Sequence, residues 1–142
     1  MLFSPDRKAN LARRATAGFT LMELMIVVAL ISVLAGMGVV QYRNQVIRTK
    51  EAVLKEDLFR MRDAIDQYYA DKAKYPAGLD ALVAEGYLRA VPKDPMTEST
   101  DTWQVEQAEP DPNNPGGELG IYNVKSGSEG TSPFEGTKYN EW

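Results

Sequence analysis

Residues 24–40 read LMIVVALISVLAGMGVV, seventeen positions without a charge and with Ser32 as the only polar side chain. At the helical rise that is roughly 26 Å, close to the thickness of a hydrocarbon core. Extending the run back to Phe19 gives 22 residues interrupted only by Thr20 and Glu23. A chain of 142 residues with a segment of this kind cannot fold around it as an ordinary small core. Before the run lie Arg7, Lys8, Arg13 and Arg14 with a single acid, Asp6, so the positive-inside bias keeps that side cytoplasmic and sends the rest outward. A cleaved secretory signal fits poorly. Its apolar region is about 7 to 15 residues and ends at a small-residue site, whereas here the run is longer and helical sequence continues past it.

Averages conceal this division. The whole chain has a net charge of −4, but residues 19–142 carry 12 bases against 19 acids, so the outward part is acidic and a basic nucleic-acid patch is not expected. The chain has no Cys and no His. Disulfide frameworks, Cys or His zinc sites, haem ligation and Ser-His or Cys-His catalysis are thereby excluded. Among enzymes only a carboxylate-based or oxygen-ligated site would remain, and the acids are scattered at surface frequency with no phosphate loop or nucleophile elbow. A structural subunit, not an enzyme, is the expectation. A membrane-tethered module that binds secreted cargo is compatible with it.

The junction Gly18-Phe19-Thr20-Leu21-Met22-Glu23-Leu24-Met25, placed between a basic leader and the apolar run, resembles the signal of the type IV pilin and pseudopilin superfamily. In that family a leader ends in Gly, an aromatic residue opens the mature chain, and a carboxylate stands at the fifth mature position. The resemblance implies that a prepilin peptidase cuts between Gly18 and Phe19 and methylates the new amine of Phe19. It divides the chain into a leader, 1–18, a transmembrane and assembly helix, 19–40, an amphipathic continuation, 41–75, and a periplasmic head, 76–142.

The chemistry of Glu23 agrees with it. A carboxylate within an apolar run costs about 2.5 to 3.5 kcal/mol on insertion scales and calls for a partner. After cleavage the Phe19 amine is a cation four residues away. In a helical assembly Glu23 of one subunit meets the Phe19 amine of the next, and the pair sets register. The competing reading leaves Glu23 solvated at headgroup level. One departure from the family is Val40, where many relatives carry Pro; Gly36 and Gly38 would serve either to loosen the helix or to let helices pack closely.

Beyond Gln41 the apolar residues narrow to a stripe: Val46, Val53 or Leu54, Leu58, Met61, Ile65, Tyr68 and Tyr69, with charges between. No Pro or Gly occurs from residue 39 to residue 74, so one helix of roughly 80 Å is expected from Phe19 to about Asp71. The charged residues among 48–63, Glu51 included, are expected on a solvated or intersubunit face. Tyr75-Pro76 ends the helix. Leu79, Leu82 and Val83 then form a short helical turn stopped by Gly86, and Pro92 and Pro95 bound an exposed loop. Strands are expected over 102–107, around Trp103 and Val105, and over 120–125, with Ile121 opposite Tyr122 and Val124. EPDPNNPGGE, residues 109–118, is the loop between them.

The Tyr-Pro after the helix, Gly86-Tyr87-Leu88 and Pro92-Lys93-Asp94-Pro95 are similar to the major, G-type pseudopilin of type II secretion. The fold implied is α+β and pilin-like: a long N-terminal helix, half transmembrane and half amphipathic, on a small antiparallel sheet with a C-terminal loop. The function implied is a structural subunit of a pseudopilus that drives protein export. The partners implied are further copies in a helical filament, minor pseudopilins, the prepilin peptidase, an inner-membrane platform with its ATPase, and lipid before assembly. A type IV pilin or competence pseudopilin is the alternative on the same scaffold. G-type relatives bind calcium in the C-terminal loop through a Gly-Thr-Glu-Asp-Asp stretch. That acidic pair is missing here, and Glu129, Glu135, Ser126 and Ser128 are the candidate oxygen ligands left. The alternative is a metal-free loop held by Phe134, Tyr139 and Trp142.

Overall fold

The computed structural model describes residues 18–142; the basic leader with Arg7, Lys8, Arg13 and Arg14 lies outside the described residues. Helix α1, Leu21–Lys72, runs unbroken for 52 residues, one residue past the expected end. The chain divides into two units, one ending at Gln41 and one spanning Tyr42–Trp142. In the first, every described side chain of α1 is exposed. The helix opens on Thr20, whose Oγ1 accepts the amide of Glu23 at 3.1 Å, satisfying one of the orphan donors of a helix start.

In the second unit α1 buries one stripe: Leu54, Leu58, Met61, Ala64, Ile65 and Tyr68. Against it pack Leu82, Trp103, Ile121, Val124 and Tyr139, and these form a single apolar core. Val46, Val53 and Tyr69 from the expected stripe stay exposed. Glu51, expected on the solvated face, is instead buried. The spacing explains it: stepping back from Tyr68 through Ile65, Met61, Leu58 and Leu54 by threes and fours lands on Glu51.

After α1 comes α2, Leu79–Ala84, which buries Leu82 and ends at Gly86 in the left-handed region with φ +84°. Strands β1, Gln104–Gln107, and β2, Ile121–Lys125, pair antiparallel, Gln104 with Lys125 and Val105 with Val124. The register slips at Glu106/Gln107, where Glu106 faces Asn123 and Gln107 faces Ile121, leaving Tyr122 as an extra residue. This bulge overturns the expected alternation. It puts Ile121 and Val124, three apart, both in the core and turns Tyr122 outward, whereas strict alternation sets Ile121 opposite Val124. Val105 is likewise exposed, while its expected companion Trp103 is buried. The loop bounded by Pro92 and Pro95 is also less open than expected, because Asp94 at its centre is completely buried. The order of elements and the antiparallel pair give the expected α+β fold, a long helix with a small sheet.

Candidate functional site

Two places carry the candidate residues. The first is the start of α1. Gly18 and Phe19 are exposed, and Phe19 presents 83% of its surface. Glu23 sits in the first helical turn, where a carboxylate complements the positive end of the helix dipole. Thr20 and Glu23 therefore form the first part of an S/T-x-x-E capping pattern, a role that was readable in the sequence. From Leu24 onward the helix is long and apolar enough to cross a membrane, and none of its most apolar window is buried. Gly36 and Gly38 have open space where a Cβ would stand. The surface is thus a continuous apolar cylinder with one acid near its tip.

The second place is the C-terminal part of the head, where the expected calcium ligands lie. The Ser126 hydroxyl, fully buried, donates to Asp94 Oδ2 at 2.6 Å, and Asp94 Oδ1 accepts the Met96 amide at 2.8 Å. Ser128 Oγ accepts the Gly130 amide, and Glu129 is exposed. Glu135 pairs with Lys55 of α1. Among the described residues no group of three or more carboxylates gathers to hold an ion. Of the four candidates only Ser126 and Ser128 meet, the Ser126 oxygen accepting the Ser128 amide at 3.2 Å. This donor set does not fit a six- to eight-oxygen cation cage.

In place of a cage, α1 reaches the segment with a row of polar side chains. The Tyr139 hydroxyl donates to Glu51 Oε1 at 2.9 Å in a buried contact. Burial first, and then this bond to Glu51, push the Tyr139 pKa up to about 12. Lys55 also lies over the Trp142 ring, 4.6 Å from its centre, and Arg48 over the Phe134 ring at 4.5 Å. Arg62 donates at 2.8 Å to Asn123 Oδ1, to the Val124 carbonyl and to the main-chain oxygen of Trp142. The Phe134, Tyr139 and Trp142 side chains named for a metal-free loop are all engaged, with Tyr139 and Trp142 edge to face at 5.1 Å.

A third feature is a pair of clefts on the head. One, of about 310 Å³, is lined by Asp57, Phe59, Arg60, Tyr87, Leu88 and Arg89 among others. Desolvation raises the Asp57 pKa from its ordinary value, with Arg60 opposing and Glu56 and Asp94 adding to it. The other, of about 790 Å³, lies between Tyr68, Tyr69, Tyr75 and the 109–120 loop. Neither brings together a nucleophile, a base and a third group.

Comparison with known proteins bears on the same two places. Residues 13–39 match the family described as the prokaryotic N-terminal methylation motif. The chain is 35% identical to the type II secretion system core protein G of Pseudomonas aeruginosa, over 58% of this chain and 70% of that protein. It is 31% identical to the core protein G of Vibrio cholerae, over 58% of this chain and 66% of that protein. It is also 33% identical to the fimbrial protein EcpC of Eikenella corrodens, over 56% of this chain and 55% of that protein. No solved structure matches the chain with comparable significance.

Proposed function

This chain belongs to the family of the type II secretion system core protein G, the major pseudopilin, and from that premise we propose how its parts work. The pseudopilin is a structural subunit. A peptidase cuts between Gly18 and Phe19, and the Phe19 amine is methylated. Until assembly the apolar cylinder stands in the inner membrane with the head on the periplasmic side.

The observation that carries this reading is the first half of α1: apolar on every side, exposed along its whole length, and acidic only at Glu23. A helix that is apolar all round is stable only when lipid or other protein surrounds it. Further copies of the chain supply that surrounding in a helical filament. Transfer from lipid to protein neighbours adds little hydrophobic driving force, so packing and polar contacts decide the geometry. Glu23 meets the Phe19 amine of the neighbouring subunit there, and a one-step slip of the helices leaves both charges unpaired in an apolar bundle. The filament grows on an inner-membrane platform driven by an ATPase, carries minor pseudopilins, and moves protein across the outer membrane.

Mass spectrometry of the protein purified from its native membrane tests the processing step. An N-methylated Phe19 is expected, and an intact leader or a different N-terminus overturns it. Cysteines introduced at Thr20 of one copy and Leu24 of another, which leave Phe19 and Glu23 in place, are expected to cross-link between subunits in assembled filaments. The similarity to a fimbrial protein supports a second reading, a pilus or competence filament on the same scaffold. Neighbouring genes decide between them, since a secretin with secretion components marks export and a retraction ATPase marks a pilus.

A further inference from the structure

The resemblance described above implies a C-terminal loop held by calcium, and the residues here do not build that site. We propose that residues 126–142 are fastened to α1 by this chain's own side chains and take no calcium. Glu135, one of the candidate ligands in the loop, is paired with Lys55. The carbonyls of Gly130, Ser132 and Thr137 already accept the amides of Tyr139, Gly136 and Ser132 at 2.8 to 2.9 Å. Ser132 Oγ, fully buried, accepts the amides of Phe134 and Glu135. A cation would have to displace the Lys55 ammonium from Glu135 and share carbonyls that already accept amides, with no second carboxylate paired beside it among the described residues.

What replaces the ion is a ladder of four side chains on one helix. Arg48, Glu51, Lys55 and Arg62 lie on α1, and each meets a different part of the segment: Phe134, Tyr139, Glu135 with Trp142, and the Trp142 main chain. Two of the contacts are cationic groups on ring faces and one joins two buried side chains, so the ladder uses both charge and packing. Its polarity is the opposite of an ion site. A calcium loop gathers carboxylates around a cation, whereas here three of the four helix residues are basic and the segment supplies aromatic rings and oxygens.

Full-length protein in detergent micelles, followed by tryptophan fluorescence on heating in millimolar calcium and in excess chelator, tests the first half of the proposal. A native-state site filled at about a hundred times its dissociation constant raises Tm by roughly 10 °C or more for a head of this size. No shift is expected, and a rise of that order overturns the proposal. The second half is read by hydrogen exchange at the Gly136 and Tyr139 amides in a Lys55→Ala/Tyr139→Phe variant. Exchange there is expected to speed up about tenfold or more, ahead of the Ala108 amide at the end of β1, with no recovery on adding calcium. Unchanged exchange, or protection restored by calcium, overturns the ladder.

Discussion

Glu23 and Glu51 are two carboxylates on one continuous helix, and their surroundings are opposite. Glu51 is buried and meets the hydroxyl of Tyr139 from the far end of the same chain. Glu23 is exposed, and among the described residues no side chain hydrogen-bonds its carboxylate, while its amide donates to Thr20 Oγ1. Around Glu51 the apolar stripe is covered by the sheet and α2; around Glu23 the apolar surface is bare. The difference separates two kinds of information in the sequence. One half of α1 specifies a protomer, and the other half specifies what the protomer must be joined to.

The sharpest way to break that division is Glu23→Ala. Filament assembly is expected to be abolished, as seen by electron microscopy or by loss of cross-linking, while the melting temperature of the head stays unchanged. A variant that assembles normally removes the register role proposed for Glu23, and one that lowers the melting temperature removes the division itself. The next largest effect belongs to the other half. Ile65 has no exposed surface, so Ile65→Ala creates a cavity under the sheet and is expected to cost about 2 to 5 kcal/mol in denaturant unfolding.

The Glu51 contact gives a smaller and more specific reading. Tyr139→Phe keeps the ring in the core but leaves a buried carboxylate without its donor, at a cost of about 1 to 3 kcal/mol. The tyrosine adds a pH dependence whose sign follows from its pKa. Folding raises that pKa from 10.0 to about 12, so the folded state holds the proton more tightly. The stabilisation is complete below pH 10 and is lost as pH rises through about 12, on the order of 2 kcal/mol in all. In Tyr139→Phe this part of the alkaline loss is expected to vanish, which equilibrium unfolding at several alkaline pH values measures.

How far these regions were legible follows the same split. The long apolar helix and its end near residue 72 follow from uninterrupted local pattern: a charge-free run, no helix breaker, and then Tyr75-Pro76. The stripe was readable too, down to Glu51, once its three-four spacing is carried back from Leu54. That step conflicts with the ordinary expectation that a glutamate lies outside, which only a distant partner overrides. The partner, Tyr139, is 88 residues away, and no local pattern announces it. The bulge at Tyr122 was hidden for a related reason. Alternation predicts one face per residue, but where a slip in pairing falls depends on the opposite strand. The prolines around Asp94 predict an exposed loop, while its burial is fixed by Ser126, Met96 and the Trp103 indole on the neighbouring Pro92 carbonyl.

The smallest predicted effects concern glycines, and here the two halves of α1 are inverted with respect to what an isolated helix would choose. Gly36 and Gly38 stand inside the helix, where each costs about 1 kcal/mol relative to Ala and where an added Cβ meets nothing within 4 Å. Ala73 stands just past the C-terminal end in the left-handed region, φ 52°, with its amide bonded to the Tyr69 carbonyl at 2.8 Å, the place where glycine is the usual choice. For Ala73→Gly the relief of left-handed strain, about 1 to 2 kcal/mol, is partly cancelled by the greater freedom of glycine in the unfolded chain, leaving a gain below about 1 kcal/mol. That is a rise of a few degrees in the melting temperature of the head, and no change in assembly is expected. Gly36→Ala combined with Gly38→Ala should act the other way round. The protomer has room for both methyl groups and gains helix propensity, so any penalty must arise where a second helix approaches or where the filament needs the helix to loosen. Normal assembly of that double variant, measured beside the unchanged head, would show that these glycines serve neither purpose.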